Sequence, residues 1–290
     1  MSKRRRPAAK TAPAREKVRD VFVPRPFHGL VDEPDWIALR ELVPAATAPL
    51  RLASEIVDKY GDRPVTLATV LPMALAAVGR PDGGILLGLQ RNTQSGDVSR
   101  DLAVALESAL DTEPGTPVSV PALPGPGRRL QDLLADGALD ITMRDDFNFW
   151  LEDDDNPVVR ASLERANASV IPTVRLGAAR AAYWCRLPGR AHGRWVLPDE
   201  EEPGLAALAR LAAAGGLGLG EGTRFAGMFR AHGLLVPVWD LPAEPDADRW
   251  EEPVGEFATR YAGALGVSGE LDAAERRARQ GLLARQLTLR

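Results

Sequence analysis

The sequence predicts an α+β fold: two tandem duplicated units of antiparallel strands with covering helices, a partial third unit and a C-terminal helix. Three observations lead there. Apolar residues recur at helical spacing in some stretches and form short strand-like runs in others, with Pro, Gly and Asp between them. An acid-rich loop followed by a proline-started helix occurs three times, at Glu33-Pro34, Asn156-Pro157 and Glu252-Pro253. Residues 112–127 hold five prolines and three glycines, which marks a linker between the first two units. The resulting division is a tail (1–19), a first unit (20–111), the linker (112–127), a second unit (128–222) and a partial repeat with C-terminal helices (223–290).

Each element has a local reason. Residues 1–19 lack an apolar period and are rich in Lys, Arg, Ala and Pro, so disorder is expected. Val21-Phe22-Val23 reads as strand-like, edged by Pro24 and Pro26. A helix from Glu33 carries Trp36, Leu39 and Val43 on one face and stops at Pro44. Residues 48–52 and 65–71 read as strands, with a short helical or irregular insert at 54–60. Residues 73–78 and 85–89 form a hairpin around Arg80-Pro81-Asp82-Gly83-Gly84. Asp97 caps a helix whose Val98, Leu102, Leu106 and Leu110 recur every fourth residue.

Beyond the linker come a short helix (128–135), a strand (139–143), an aromatic patch, an acidic loop and a helix carrying Val159, Leu163 and Ala166. Strands follow at 170–176 and 182–187. A turn spans 188–193, and residues 194–197 pair back. Glu202-Pro203 opens a helix to Ala214. Residues 215–222 are a glycine-rich break, 223–231 read as helical, and 234–239 as a strand. Helices at 253–265 and from 270 to about 287 close the chain, the first with Phe257, Tyr261 and Leu265 on one face.

The repetition rests on residues as well as order. ATAPLRL at 46–52 resembles SVIPTVRL at 169–176. RRLQDLLADGALDIT from Arg128 resembles RFAGMFRAHGLLVPV from Arg224, each read as helix, glycine C-cap at Gly137 or Gly233, then strand.

Composition bounds the function. The chain has 290 residues, 45% hydrophobic and 26% charged, ordinary values for a globular protein. The single cysteine excludes an internal disulfide and a cysteine-built zinc site, and it fits a reducing compartment. The longest nearly apolar run, 65–78, is too short to span a bilayer, and no apolar segment follows the basic start, so no membrane role is expected and the cytoplasm is the default location. Lysine occurs only at Lys3, Lys10, Lys17 and Lys59; the arginine excess reads as coding bias rather than as nucleic-acid binding.

Charge is uneven. Residues 1–19 carry +7, through Lys3, Arg4, Arg5, Arg6, Lys10, Arg15, Lys17 and Arg19 against Glu16; the remainder carries −11. These eight residues are the candidate contact to RNA, DNA or an acidic partner. The plainer reading is a solubilising tail, because no aromatic residue interleaves the charges.

Other leads are weaker. The acids at 145–146 and 152–155 lack the spacing and fixed glycine of a calcium loop and suit a helix start. His192 and His232 both sit in Arg-Ala-His-Gly and read as turn residues. Cys185 reads as a buried small apolar residue. Gly216, Gly218 and Gly220 follow a helix rather than a strand, which argues against a dinucleotide loop. Phe147, Phe149 and Trp150 are a candidate partner patch, although alternate aromatics more often form core. No catalytic residue, metal ligand or cofactor emerges.

FVPRPFHGL, DWIALRELVPAATAPL, VTLATVLP, the GLQ segment and FNFWLED together resemble an actinobacterial family of uncharacterised proteins, over most of residues 21–290. The resemblance implies no activity. Some relatives carry a cysteine–histidine zinc segment like that ending the SecA translocase, but this chain has none and the role is not carried over. FRAHGLLVPV resembles the helix-strand opening of SseB-type domains. The expectation is therefore a non-catalytic cytoplasmic binding or scaffold protein with an unknown protein partner. The alternatives are a nucleic-acid- or ribosome-associated factor held by the basic tail, and a small-molecule enzyme with a site between the units.

Overall fold

The structure, a computed structural model, describes residues 19–121, 123–151, 157–244 and 246–285. These form two five-stranded sheets and seven α-helices. The first unit holds α1 (Glu33–Glu41), β1 (Ala46–Leu50), α2 (Ser54–Tyr60), β2 (Val65–Val70), β3 (Ala77–Gly79), β4 (Ile85–Gln90) and α3 (Val98–Leu110). With β5 (Thr142–Met143) its strands lie in the order β3-β4-β2-β1-β5. The β2–β4 pair is parallel, whereas every other pair in this sheet is antiparallel. The Asp97 side chain caps α3 as expected, accepting from the Arg100 amide.

The second unit holds α4 (Pro157–Ala168), β6 (Thr173–Leu176), β7 (Ala182–Leu187), β8 (Arg190–Trp195) and α5 (Glu201–Ala213). β9 (Arg224–Ala231) and β10 (Leu234–Leu241) follow, then α6 (Glu251–Leu265) and α7 (Ala273–Ala284). Its sheet is wholly antiparallel, in the order β6-β7-β8-β10-β9. The strands of the partial third unit are thus hydrogen-bonded into the second sheet.

Residues 224–231 are a strand, not the helix expected. The cause is a β-bulge: Trp239 pairs with Phe225 and Val238 with Gly227, so Ala226 is an extra residue. The bulge puts Phe225 and Met228 on one face and Ala226 and Phe229 on the other, an i, i+3 spacing that imitates a helix. Gly233 does take positive φ, but in a two-residue hairpin turn with His232 (φ 46° and 87°) rather than a helix C-cap. FRAHGLLVPV is therefore a hairpin.

Residues 128–135 also depart from helix. Only the turn Leu130–Asp132 is helical, of 3₁₀ type. Residues beside it spend their backbone groups on the first unit instead: Ala53 N–H donates to Leu133, and Ala135 N–H to Arg51. The strand expected over 139–143 shrinks to Thr142–Met143, because Leu139 N–H donates to the Asp32 carboxylate. The turn at 188–193 is only Pro188-Gly189, so His192 lies within β8.

The second sheet is covered on both faces, and this packs the two units together. Trp184, Trp195, Leu235 and Trp239 face α5, α6 and α7. Tyr183, Val236, Val238 and Phe229 join a core with Trp36, Ile37, Leu39 and α3 of the first unit. α1 is the wedge between them: residues 33–39 are all buried, Glu33 and Asp35 included. Such a helix needs partners for its acids. Arg175 donates to both Asp35 oxygens at 3.1 Å, Arg25 to Glu33 at 2.7 Å, and Arg180 pairs with Asp32.

Candidate binding cleft at the junction of the units

A cleft of about 760 Å³ opens where the units meet. Five segments build it: the N-terminal stretch 20–24, the end of α1, the loop entering α3, the start of α5 and the β9–β10 turn.

The α3 loop is shaped from beneath. Asp101 is buried, and its carboxylate accepts the Ser95 N–H at 2.7 Å. Burial pushes the Asp101 carboxyl above its usual range, opposed by the Ser95 amide and by Arg91 and Arg40. Gly96 then meets the N-terminal stretch backbone to backbone. Val23 N–H donates to Gly96 O at 2.8 Å, and Gly96 N–H donates to the Asp20 carboxylate at 2.7 Å. A Cβ on Gly96 would lie 2.7 Å from both Phe22 Cα and Val21 O, so only glycine permits the seat.

The cleft floor carries paired charges. The Arg40 guanidinium donates to Leu89 O at 2.6 Å and to Gln94 Oε1, and lies 3.3 Å from Glu41. Burial lowers its pKa. His232 Nε2 and Glu41 Oε1 are 2.8 Å apart, a hydrogen bond across the junction. Burial opposes the ionised Glu41 carboxylate, but His232 and Arg40 outweigh it and hold the group below its usual range. Arg230 donates to Glu201 at 2.8 Å, and that bond lowers the Glu201 carboxyl. The neighbouring acids of α5 are engaged too: Glu200 by Arg25, Glu202 by Arg279, and Asp199 by the Tyr261 hydroxyl.

The rim is different. Fixing the backbone of 20–23 on Gly96 turns Val21 and Phe22 outward, 62% and 78% exposed. Of seven phenylalanines and six tryptophans, Phe22 alone is exposed. A buried Phe contributes roughly 1.5–3 kcal/mol, which this one forgoes. Composition and periodicity gave no sign of it, because Val21-Phe22-Val23 alone looks like a strand.

Among the sequence-derived candidates, Lys3, Arg4, Arg5, Arg6, Lys10, Arg15 and Lys17 lie outside the described residues, as do 152–155; Arg19 is exposed. Phe147, Phe149 and Trp150 do not form an exposed patch. They pack on one another and on Leu71, Leu86 and Leu163, and Trp150 Nε1 donates to Val70 O at 3.0 Å. Cys185 is 2% exposed, and burial raises its thiol pKa. His192 lies 3.2 Å from Asp240, and burial lowers its pKa. Among the described residues no group of three or more His, Cys, Asp or Glu is placed to hold a metal ion, and no helix is long and apolar enough to cross a membrane.

Fold and site together describe an α+β protein of two packed sheets with a charge-paired cleft at their junction and an exposed aromatic on its rim. The chain belongs to the Family of unknown function (DUF5926), which it matches over residues 26–290. No curated protein and no solved structure matches it.

Proposed function

We propose that the protein is a non-catalytic cytoplasmic binding protein whose contact is the rim of the junction cleft, Phe22 together with the basic arm 1–19. The observation that carries this is Phe22, the one exposed aromatic among the Phe and Trp residues, held outward by backbone hydrogen bonds where the arm joins the body. Val21 and Phe22 lie exposed beside a partly apolar cleft, where a partner's apolar side chain can be buried. The single buried Cys185 agrees with a reducing compartment.

The runner-up, a nucleic-acid- or ribosome-associated factor, gains one observation: Phe22 supplies, beside the arm, the aromatic that residues 1–19 lack. An enzyme between the units has a cleft, but the His232 ring there is engaged by Glu41, with no hydroxyl or thiol hydrogen-bonded to it among the described residues.

The test is affinity capture from the native host with three full-length proteins: wild type, Phe22→Ala, and a variant with the eight arm residues changed to Gln, each with and without nuclease. A partner held by wild type and released by both variants supports the reading. Partners that stay on both variants place the contact elsewhere.

A further inference from the structure

We infer that the second sheet carries a site for a doubly charged phosphate, free or as a monoester, built on β8 by Arg190, His192 and Arg194. The site goes beyond the rim contact and does not depend on it. Strand alternation puts the three side chains on one face of β8. Arg194 lies opposite Tyr183 of β7 and Val238 of β10, both in the shared core, so this face is the one turned toward the first unit. One row further on, His192 lies opposite Cys185 and Asp240, and Asp240 opposite Arg224. That row is at the far end of the β9–β10 hairpin from His232, roughly 20 Å along the strands from the junction cleft.

Charge selects the ligand. Among the half-buried arginines of the described residues, Arg194 alone has no hydrogen-bond or ion-pair partner. A guanidinium in that position has lost part of its hydration without a compensating contact. Arg190, exposed on the other side of His192, has no such partner among the described residues either. The neighbouring charges cancel: Arg224 pairs with Asp240, and Arg175 with Asp35. His192 is 9% exposed, and its Nδ1 lies buried 3.2 Å from Asp240 without forming a hydrogen bond. Burial and then Arg194 hold the imidazole below its ordinary pKa, with Arg190 adding to them and Asp240 opposing. Two uncompensated cations therefore flank a neutral ring. A phosphate monoester carries about −1.5 to −2 charge at pH 7 and three acceptor oxygens, which matches two guanidiniums and one imidazole. A carboxylate or a phosphodiester carries a single charge and leaves one arginine unmatched.

The test is isothermal titration calorimetry on the full-length chain at physiological salt. The probes are inorganic phosphate, phosphoserine, and the monoanions acetate and dimethyl phosphate. The two dianions should bind, and the monoanions at least about tenfold more weakly. Arg194→Gln and Arg190→Gln should each weaken phosphate at least about tenfold, and phosphate should move the His192 ring signals in NMR spectra of the wild type. Arg194 makes no polar contact that the fold uses, so Arg194→Gln should keep the wild-type circular dichroism and unfolding midpoint. Phe22→Ala should bind phosphate as the wild type does. Tighter binding of phosphoserine than of inorganic phosphate supports the site as one for an ester, and the reverse order supports it as one for the free ion. Phosphate binding indifferent to Arg194→Gln overturns the inference, as does acetate binding as tightly as phosphate, or no phosphate binding up to about 10 mM. Phosphate binding lost with Phe22→Ala would move the anion to the junction cleft, overturning the β8 site and leaving the rim reading in place.

Discussion

Arg175→Ala should be among the most destabilising surface-accessible substitutions in this protein, and far worse than Asp35→Asn at the other end of the same ion pair. Asp35 is 1% exposed on the wedge helix, whereas the Arg175 side chain is 33% exposed on β6. Removing the arginine strands a buried carboxylate beside the buried Tyr183 hydroxyl, which has no hydrogen-bond partner among the described residues. Breaking a buried pair this way costs about 3–5 kcal/mol. Removing the carboxylate charge leaves a guanidinium that water still reaches, which costs about 1 kcal/mol. The double variant should recover most of the difference.

The pH dependence has a definite sign. Burial already raises the Asp35 carboxyl above its usual range, against the opposing pull of Arg175. Without Arg175 it rises further. The penalty belongs to the ionised form, so it is complete above the folded pKa and vanishes below the unfolded one. Urea unfolding of wild type and Arg175→Ala at pH 7 and pH 5 should therefore show a deficit that shrinks as pH falls, at constant m. A deficit at pH 7 under about 1 kcal/mol, or one that grows with acid, would refute the account.

Two further outcomes follow from the described contacts. Gly96→Ala should dislodge the 20–23 stretch by contact with Phe22 Cα and Val21 O. The Val23 amide should then lose its hydrogen-exchange protection while global stability falls by no more than about 1–3 kcal/mol, the worth of two hydrogen bonds; a protected Val23 amide would contradict the seat. The Cys185 thiol, buried and raised in pKa, should react with a disulfide reagent only as fast as the protein opens. Prompt labelling of native protein would show that β7 is exposed.

Much of the fold was legible because its signals are local. The Arg80–Gly84 turn formed, with the Asp82 carboxylate accepting the Gly84 N–H, and Asp97 capped α3. Where local patterns failed, a distant segment had intervened. β9 looked helical because one bulged residue shifted its alternation, and 128–135 lost its helix to hydrogen bonds with Arg51 and Ala53. The site was hardly legible at all. Glu41 and His232 meet from 191 positions apart, and nothing in Val21-Phe22-Val23 announces that Gly96 will hold its backbone and leave its side chains in water.

The shared core also has a consequence for synthesis. When the ribosome has finished α3, the residues that cover the inner side of α1, from Tyr183 to Val238, have not been made. At ordinary elongation rates they arrive roughly 4 to 26 seconds later. Through that interval the nascent first unit carries Trp36, Ile37 and Leu39 without their later cover. The period of greatest risk for this chain therefore falls before its release, and mutations that weaken the junction should show first as lost yield rather than as a changed fold.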